Sequence, residues 1–216
     1  MKHFYLIVDT ETTTKQTVAD FGAVIVDRQG QIIDQFGAMV LGHFGKFELF
    51  YDASAPDSAF WSAQSGKRRT KNYDQMLETG ERSISSVGLI NQWLAATKAR
   101  YNPVLTAYNI AFDLGKCRNT RINLGIFNQK FCLMKAAKRD IGVLVDYQQF
   151  CHDNGLLTAK LRQPQMTANS MAKYISGADL AEEPHTALED ARDYEAMILA
   201  HILKTKTRKQ LMEIGR

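Results

Sequence analysis

Continuous apolar stretches predict the first strands of the chain. Residues 4–8 are all apolar and rich in residues that favour strands, as expected for a strand covered on both faces. Residues 21–27 and 31–41 form a second and a third such stretch, with the turn residues 28–30 between them. A connection this short requires that neighbouring strands run antiparallel.

Helical spacing appears in the second half of the chain. Val87, Ile90 and Leu94 fall on one face of a helix predicted over residues 83–100. The later segments alternate between short strands and helices. The predicted strands are 104–108 and 131–133, and the predicted helices are 111–124, 145–153, 168–175 and a last helix from just after Pro184 to about 204.

These elements predict a single mixed α/β domain over residues 1–216. Its five-stranded sheet would contain three antiparallel strands, extended by crossover helices to parallel strands and flanked by helices. Residues 42–82 are atypical, because they mix Gly, Ser and aromatic residues with a basic run at 67–71. We interpret them as one or two short helices with loops over one edge of the sheet, and residues 204–216 as a basic C-terminal tail.

Composition and charge exclude several classes of protein. The chain has 216 residues, 45% of them hydrophobic, which suffices for a buried core and excludes a disordered or fibrous protein. A net charge of +4 permits a polyanionic partner without requiring one. No apolar stretch is long enough to span a membrane, so we expect no membrane partner. The three cysteines are far apart and form neither a disulfide framework nor a zinc pattern, so we expect a cytoplasmic protein.

Two carboxylates end the first predicted strand. Asp9 and Glu11 are two residues apart, so they project from the same face of a strand. Carboxylates this close repel each other unless a cation lies between them. An ordinary strand end that meets solvent is the alternative interpretation, and the pair alone does not decide between the two.

Two more motifs stand at predicted helix starts. Asn109 is a typical N-cap residue after the fourth strand, and Asp113 lies one helical turn later. Alone, this pattern is equally typical of a capped helix whose acidic first turn favours the helix dipole. His185 follows Pro184 at the start of the last helix, and Asp190 lies inside it. Alone, such a histidine is usually structural.

Taken together and in this order, the three motifs resemble the DEDDh family of 3′-to-5′ exonucleases, the DnaQ-like enzymes with a ribonuclease H-like fold. The resemblance covers nearly the whole chain. The matching residues are Asp9 and Glu11 in the first motif, Asp113 in the second, and His185 and Asp190 in the third.

The sequence also departs from the family pattern. A sister family carries Tyr four residues before the last Asp, where this chain has Thr186, so the histidine branch is the better match. The glycine that commonly follows the first motif is missing after Thr12 and Thr13. Tyr108 replaces a common His in the second motif, and Asp20 is displaced by one position. None of these departures removes a metal-binding carboxylate.

The resemblance implies a site for two metal ions. Asp9 would bridge two Mg²⁺ ions, Glu11 and Asp190 would complete the site of the nucleophilic water, and Asp113 would hold the second ion. Hard oxygen donors favour Mg²⁺, with Mn²⁺ able to substitute, over zinc. His185, with an ordinary pKa of about 6.5, would take the proton of the water.

Several residues are candidates for contact with the substrate. Thr10, Thr12 and Thr13 follow the first motif, where the family grips the terminal nucleotide. We assign Asn109 to the same site. Trp61 lies in the mixed aromatic and basic segment, a composition that fits stacking on a single strand, with a core role for the aromatic residues as the alternative.

A long basic stretch follows Asp113 directly. Residues 114–139 contain seven basic residues and no acidic one. Lys116 and Arg118 are the members closest to Asp113, and we expect them to contact phosphates.

The resulting prediction is an exonuclease that acts on 3′ ends of single-stranded nucleic acid, DNA by preference, and releases nucleoside 5′-monophosphates. An exoribonuclease similar to RNase T or oligoribonuclease is an alternative with the same chemistry. A non-catalytic nucleic-acid-binding replication module is an alternative of another class, which the intact set of five residues disfavours. A polymerase or replication partner is compatible with the resemblance.

Overall fold

A mixed sheet lies at the centre of the molecule. The computed structural model describes residues 3–216, and the strands in this range are β1 Tyr5–Thr12, β2 Val18–Val26, β3 Ile32–Val40, β4 Ser83–Ser85, β5 Val104–Ala107 and β6 Lys130–Cys132. Their order across the sheet is β4-β3-β2-β1-β5-β6. β1, β2 and β3 are antiparallel, β5 is parallel to β1, β6 is parallel to β5, and β4 is parallel to β3. The predicted mixed α/β class is confirmed.

Helices cover the sheet. They are α1 Ala63–Thr79, α2 Val87–Tyr101, α3 Ile110–Thr120, α4 Leu133–Asp140, α5 Val145–Asp153, α6 Ala168–Ser176, α7 Ala187–Glu189, α8 Ala196–Leu203 and α9 Arg208–Ile214, with a 3₁₀ turn at Leu124–Ile126. A π-helical stretch, Asp190–Glu195, joins α7 to α8, so the three form one continuous rod.

The central strands β1 and β2 are largely apolar because they separate two hydrophobic cores. All nine residues of β2 are buried. In β1, Tyr5 and Ile7 face one core, which contains residues of α4, α6 and α8. Leu6 and Val8 face the other core, which contains residues of α2 and α3. Burial on both faces explains why these strands show continuous apolar sequence rather than alternation.

The sheet has six strands in the described residues, and the prediction of five was wrong. The extra strand, β4, falls at the start of the helix predicted over 83–100. That helix begins later, at Val87, because the Ser86 hydroxyl accepts a hydrogen bond from the backbone N–H of Leu89 at 3.2 Å and caps it. The preceding residues pair with β3, with Ser83 opposite Ala38. Their polar sequence gave no strand signal.

Two segments are more ordered than their composition indicated. Residues 41–62 form turns, and then one helix of 17 residues, α1, replaces the short helices expected in 42–82. The predicted basic tail at 204–216 contains α9, which begins with a capping box between Thr207 and Gln210. Leu211 of α9 is fully buried, so the tail packs on the domain.

Candidate active site

Asp9 and Glu11 lie at the carboxyl end of β1, in the middle of the sheet. Strand alternation puts both half-buried side chains on one face. Asp9 is paired across the ladder with Gly22 of β2, and Gly22 is paired with Gly37 of β3. These glycines carry no side chains, so they leave space on the sheet beside Asp9.

The start of α7 occupies this space. A Cβ atom on Gly22 would lie 2.2 Å from the carbonyl carbon of Ala187, so the approach requires glycine. The Asp20 carboxylate accepts a hydrogen bond from the backbone N–H of Ala187 at 2.9 Å. Asp20 therefore caps α7 from a neighbouring strand and holds the helix start against the sheet.

The packing of α7 against the sheet brings His185 and Asp190 close to Glu11. His185 precedes α7 with a φ of +56°, an uncommon conformation for a residue other than glycine. Its Nδ1 lies 3.8 Å from Oδ2 of Asp190. Glu11, His185 and Asp190 each offer one ligand atom, and the three atoms lie within 4.8 Å of one another. We call these three residues the carboxylate–histidine cluster.

The cluster fits a divalent cation. Oδ1 of Asp190 is buried and has no hydrogen-bond partner among residues 3–216. An unpaired carboxylate oxygen in this position is costly, and a bound cation would offset the cost. Carboxylate oxygens are donors that Mg²⁺ and Mn²⁺ prefer.

Asp113 is held beside the cluster rather than within it. It lies in the first turn of α3 and is 3% exposed. Its Oδ1 accepts a hydrogen bond from the Thr10 hydroxyl at 2.8 Å, which ties α3 to β1. Asn109 occupies the N-cap position of α3, as predicted, but its side chain makes no capping bond within the described chain.

Two further carboxylates, Glu183 and Glu195, escaped the sequence analysis. Glu195 is 3% exposed, and its Oε2 accepts a hydrogen bond from the backbone N–H of Tyr108 at 3.1 Å. It closes the π-helical stretch that Asp190 begins. This bond joins the last helix to the turn that precedes α3, the helix that carries Asp113. The sequence contained one signal for Glu195. This residue stands five positions after Asp190, and an acidic residue is unexpected on a buried helix face.

Crowding raises the pKa values of these carboxyl groups. Burial raises the pKa of Asp9 to about 7, and the charge of Asp20 adds to the rise against a hydrogen bond from the Thr10 backbone. Burial, and then the charge of Asp9, raises the pKa of Glu183 to about 8. The pKa of Asp190 rises for the same two reasons. A proton would therefore compete with a cation for these carboxylates.

His185 shifts in the opposite direction. Burial, followed by the charge of Arg69, lowers the pKa of its imidazole to about 4. The ring also packs against Phe60, with the two ring centroids 3.7 Å apart. At neutral pH His185 is therefore uncharged, with a nitrogen lone pair available to accept a proton.

Arg69 contacts Glu11, a role that the sequence analysis did not predict. As a member of the basic run 67–71 it pointed to strand binding, yet it is 5% exposed and its Nη1 lies 3.1 Å from Oε2 of Glu11. A helical signal was present, because Arg69 and Tyr73 are four residues apart and both lie on the buried face of α1.

The threonines predicted to contact substrate are buried. The Thr10 hydroxyl is bonded to Asp113, and the Thr13 hydroxyl lies 2.8 Å from that of Thr17. Thr12 is 6% exposed, and its carbonyl accepts a hydrogen bond from the backbone N–H of Phe50. Each of the three threonines is therefore hydrogen-bonded to another residue of the protein.

The remaining substrate candidates lie nearer the surface. Trp61 is 47% exposed and packs edge-on against Phe60, beside His185. Lys116 lies one turn after Asp113 and donates a hydrogen bond to Gln16. Arg118, on the same helix, is exposed.

Within residues 3–216, none of the helices combines the length and apolar character needed to cross a membrane.

The fold is similar to that of known exonucleases. A product-bound structure of exonuclease I has a TM-score of 0.57 and 13% identity, over 99% of this chain and 46% of that one. The zinc-bound form of the E. coli exonuclease I complex with single-stranded DNA has a TM-score of 0.54 and 14% identity, over 99% and 42%. Exonuclease X in complex with 5′-overhanging duplex DNA has a TM-score of 0.45 and 18% identity, over 98% and 99%.

The chain spans less than half the length of these exonuclease I structures. No protein-family model and no curated protein matches the sequence. The similarity therefore concerns the fold, a mixed α/β architecture shared with the exonuclease I structures.

Proposed function

We propose that this protein is a metal-dependent 3′-to-5′ exonuclease that hydrolyses single-stranded nucleic acid, DNA by preference, and releases nucleoside 5′-monophosphates. One observation carries the proposal: Glu11, His185 and Asp190 converge within 4.8 Å at the carboxyl end of β1. The fold around them is the one found in exonuclease I. E. coli exonuclease I, which has this fold, forms a complex with single-stranded DNA, and this supports DNA as the substrate.

Asp9, Glu11, Asp113 and Asp190 would hold two Mg²⁺ ions, for which Mn²⁺ can substitute. When bound, such ions supply the charge that stabilises the attacking and leaving oxygens of a phosphodiester displacement. The protein contributes the fixed positions of its carboxylates. The Thr10 bond orients Asp113, and the capped start of α7 orients Asp190.

His185 would accept the proton of the attacking water. Its imidazole is uncharged at neutral pH because burial and Arg69 lower its pKa to about 4. The Phe60 ring restrains the imidazole beside Asp190. A positioned base of this kind contributes roughly 10²–10⁴-fold to the rate.

The substrate strand would lie across the exposed surface next to the cluster. The exposed Trp61 ring offers a stacking surface for a base. Lys116 and Arg118 project from the helix that carries Asp113 and offer positive charge to phosphates. Asn109 completes the proposed substrate site, and the buried Thr10, Thr12 and Thr13 would support it from within the protein.

The test uses 5′-labelled single-stranded DNA and RNA of equal sequence, with Mg²⁺, Mn²⁺ or EDTA. We expect a ladder that shortens from the 3′ end, is faster on DNA and disappears in EDTA. The matched control is Asp113→Asn, which keeps the side-chain shape and should remove cleavage while the protein stays folded.

Other outcomes separate the alternatives. Faster cleavage of RNA would identify an exoribonuclease. Binding of both strands without shortening would identify a non-catalytic nucleic-acid-binding module. Full activity in excess EDTA would contradict the metal mechanism.

A further inference from the structure

The atypical segment 42–82 reaches the carboxylate–histidine cluster through Arg69. Arg69 lies on α1 and is 5% exposed, although it belongs to the most basic run of the segment. Its Nη1 donates a hydrogen bond to Oε2 of Glu11 at 3.1 Å, and its Nη2 donates one to the carbonyl of Phe50 at 2.7 Å. The guanidinium therefore bridges Glu11 to the chain that precedes α1.

The helix itself fixes the direction of Arg69. The Ser62 hydroxyl caps α1 by accepting a hydrogen bond from the backbone N–H of Ser65. Ser65, Arg69 and Tyr73 then follow at intervals of four residues on the buried face. The Tyr73 hydroxyl donates a hydrogen bond to the carbonyl of His185 at 3.4 Å, so the same face of α1 touches both sides of the cluster.

Phe60 extends this contact. The guanidinium carbon of Arg69 lies 4.4 Å from the centre of the Phe60 ring, and that ring packs on His185 at 3.7 Å between centroids. Arg69 thus contacts Glu11 directly and His185 through one aromatic ring. An Arg fork that also stacks on an aromatic face is poorly replaced by Lys.

The free-energy cost of burying the ion pair between Arg69 and Glu11 indicates that the pair has a specific role. A buried ion pair repays its desolvation only with good geometry and additional hydrogen bonds, so it is weak evidence for stability. Arg69 engages Oε2, one of two oxygens of a carboxylate that belongs to the cluster. Partners that hold one atom of a metal ligand orient the other toward the metal.

We propose that Arg69 is a positioning residue, which holds Oε2 of Glu11 so that the carboxylate presents its other oxygen to a divalent cation. This inference rests on the proposed metal site. It assigns a role to segment 42–82 as the element that sets the geometry of that site. It also predicts that Arg69 assists cation binding, despite its positive charge, because an oriented carboxylate outweighs the added repulsion.

The experiment measures Mn²⁺ binding by calorimetry, with no nucleic acid present, in the parent chain, Arg69→Met and Arg68→Met. Arg68 is an exposed neighbour on α1, so its substitution removes the same charge without touching Glu11. We expect Arg69→Met to bind Mn²⁺ about 10–100-fold more weakly. Arg68→Met should stay within about twofold of the parent, because its charge is screened by solvent.

Two further variants show whether Arg69 acts through Glu11. Arg69→Lys keeps the charge but lacks the fork that bonds Oε2 of Glu11 and the carbonyl oxygen of Phe50 together, so its affinity for Mn²⁺ should lie between those of the parent and Arg69→Met. Glu11→Gln should weaken Mn²⁺ binding, and the double variant Glu11→Gln/Arg69→Met should be no weaker than Glu11→Gln alone. The double variant also removes both charges of the buried pair, which keeps the test usable if Arg69→Met unfolds.

The failures are distinguishable. Equal or tighter Mn²⁺ binding by Arg69→Met overturns the positioning role, and tighter binding would show that Arg69 competes with the cation. A further loss in the double variant shows that Arg69 does not act through Glu11 and also overturns it. A parent chain that binds no Mn²⁺ removes the proposed metal site and this inference together.

Discussion

Asp9 is a half-buried carboxylate at the carboxyl end of β1, and neighbouring acidic groups crowd it. Burial and the charge of Asp20 raise its pKa to about 7, far above the ordinary value of 3.8. At neutral pH part of the population therefore holds a proton where a cation would bind. Each buried carboxylate that ionises without a cation repels its neighbours.

This crowding predicts that the metal-free protein loses stability as pH rises. The folded pKa of Asp9 lies above its unfolded value, so its stabilisation is fully present below about pH 3.8 and is lost as pH rises to about 7. In EDTA, the thermal midpoint should fall by several degrees between pH 5 and pH 8. Asp9→Asn should flatten this slope, and Asp20, with a pKa raised to about 6, accounts for part of what remains. A midpoint that rises with pH in EDTA would show that the carboxylates are not crowded as described.

His185 supports a separate kinetic prediction. The change His185→Ala should lower turnover on a labelled oligonucleotide roughly 10²–10⁴-fold, because it removes the nitrogen that we propose accepts the proton. Mn²⁺ binding should fall much less, since the carboxylates remain. Full turnover at neutral pH in this variant would rule out His185 as the base.

At the scale of elements, the last helix decides the geometry of the site. Its π-helical stretch, Asp190–Glu195, places Asp190 at one end and Glu195 at the other. Such stretches cost hydrogen-bond geometry and are frequent at functional sites. The start of the helix is held by Asp20 and by its close approach to Gly22.

Gly22→Ala should therefore damage the site through the helix. The added Cβ would lie 2.2 Å from the backbone of Ala187, so α7 must move, at a cost of about 1–3 kcal/mol for overpacking. We expect a lower thermal midpoint and weaker Mn²⁺ binding. The matched control is Gly115→Ala on α3, where a Cβ would meet nothing within 4 Å in the described chain and should stabilise the helix by roughly 0.5–1 kcal/mol. If both variants behave alike, the contact between Gly22 and Ala187 does not set the position of the helix.

At the scale of the whole molecule, a bound cation should act as a stabilising ligand. Mg²⁺ at about 100 times its dissociation constant should stabilise the fold by about 2.7 kcal/mol. Differential scanning calorimetry would show this as a higher midpoint in Mg²⁺ than in EDTA. Asp190→Asn should raise the midpoint in EDTA, by removing a buried carboxyl group that is crowded by Asp9 and Glu183, and should abolish most of the gain from Mg²⁺. A gain that survives in this variant would place the ion elsewhere.

The sheet was largely predictable because apolar runs record burial on both faces. Residues 4–8 and 21–27 are such apolar runs, and they overlap β1 and β2. β4 was missed because Ser83–Ser85 is short and polar, and its only reason to be a strand is the open edge of β3. The length of helix in residues 42–82 was underestimated, because exposed basic residues on α1 obscure the sequence pattern of its one buried face.

The sequence by itself determined which carboxylates and which histidine are candidates, because the three motifs occur together and in one order, although none of them decides alone. Tertiary structure alone decided how they meet. The glycines at 22 and 37 open the sheet, Asp20 fixes the last helix, and Arg69 reaches Glu11 from an element 58 residues away. Such contacts join groups that no local pattern links, because their energy depends on distance in space and not along the chain.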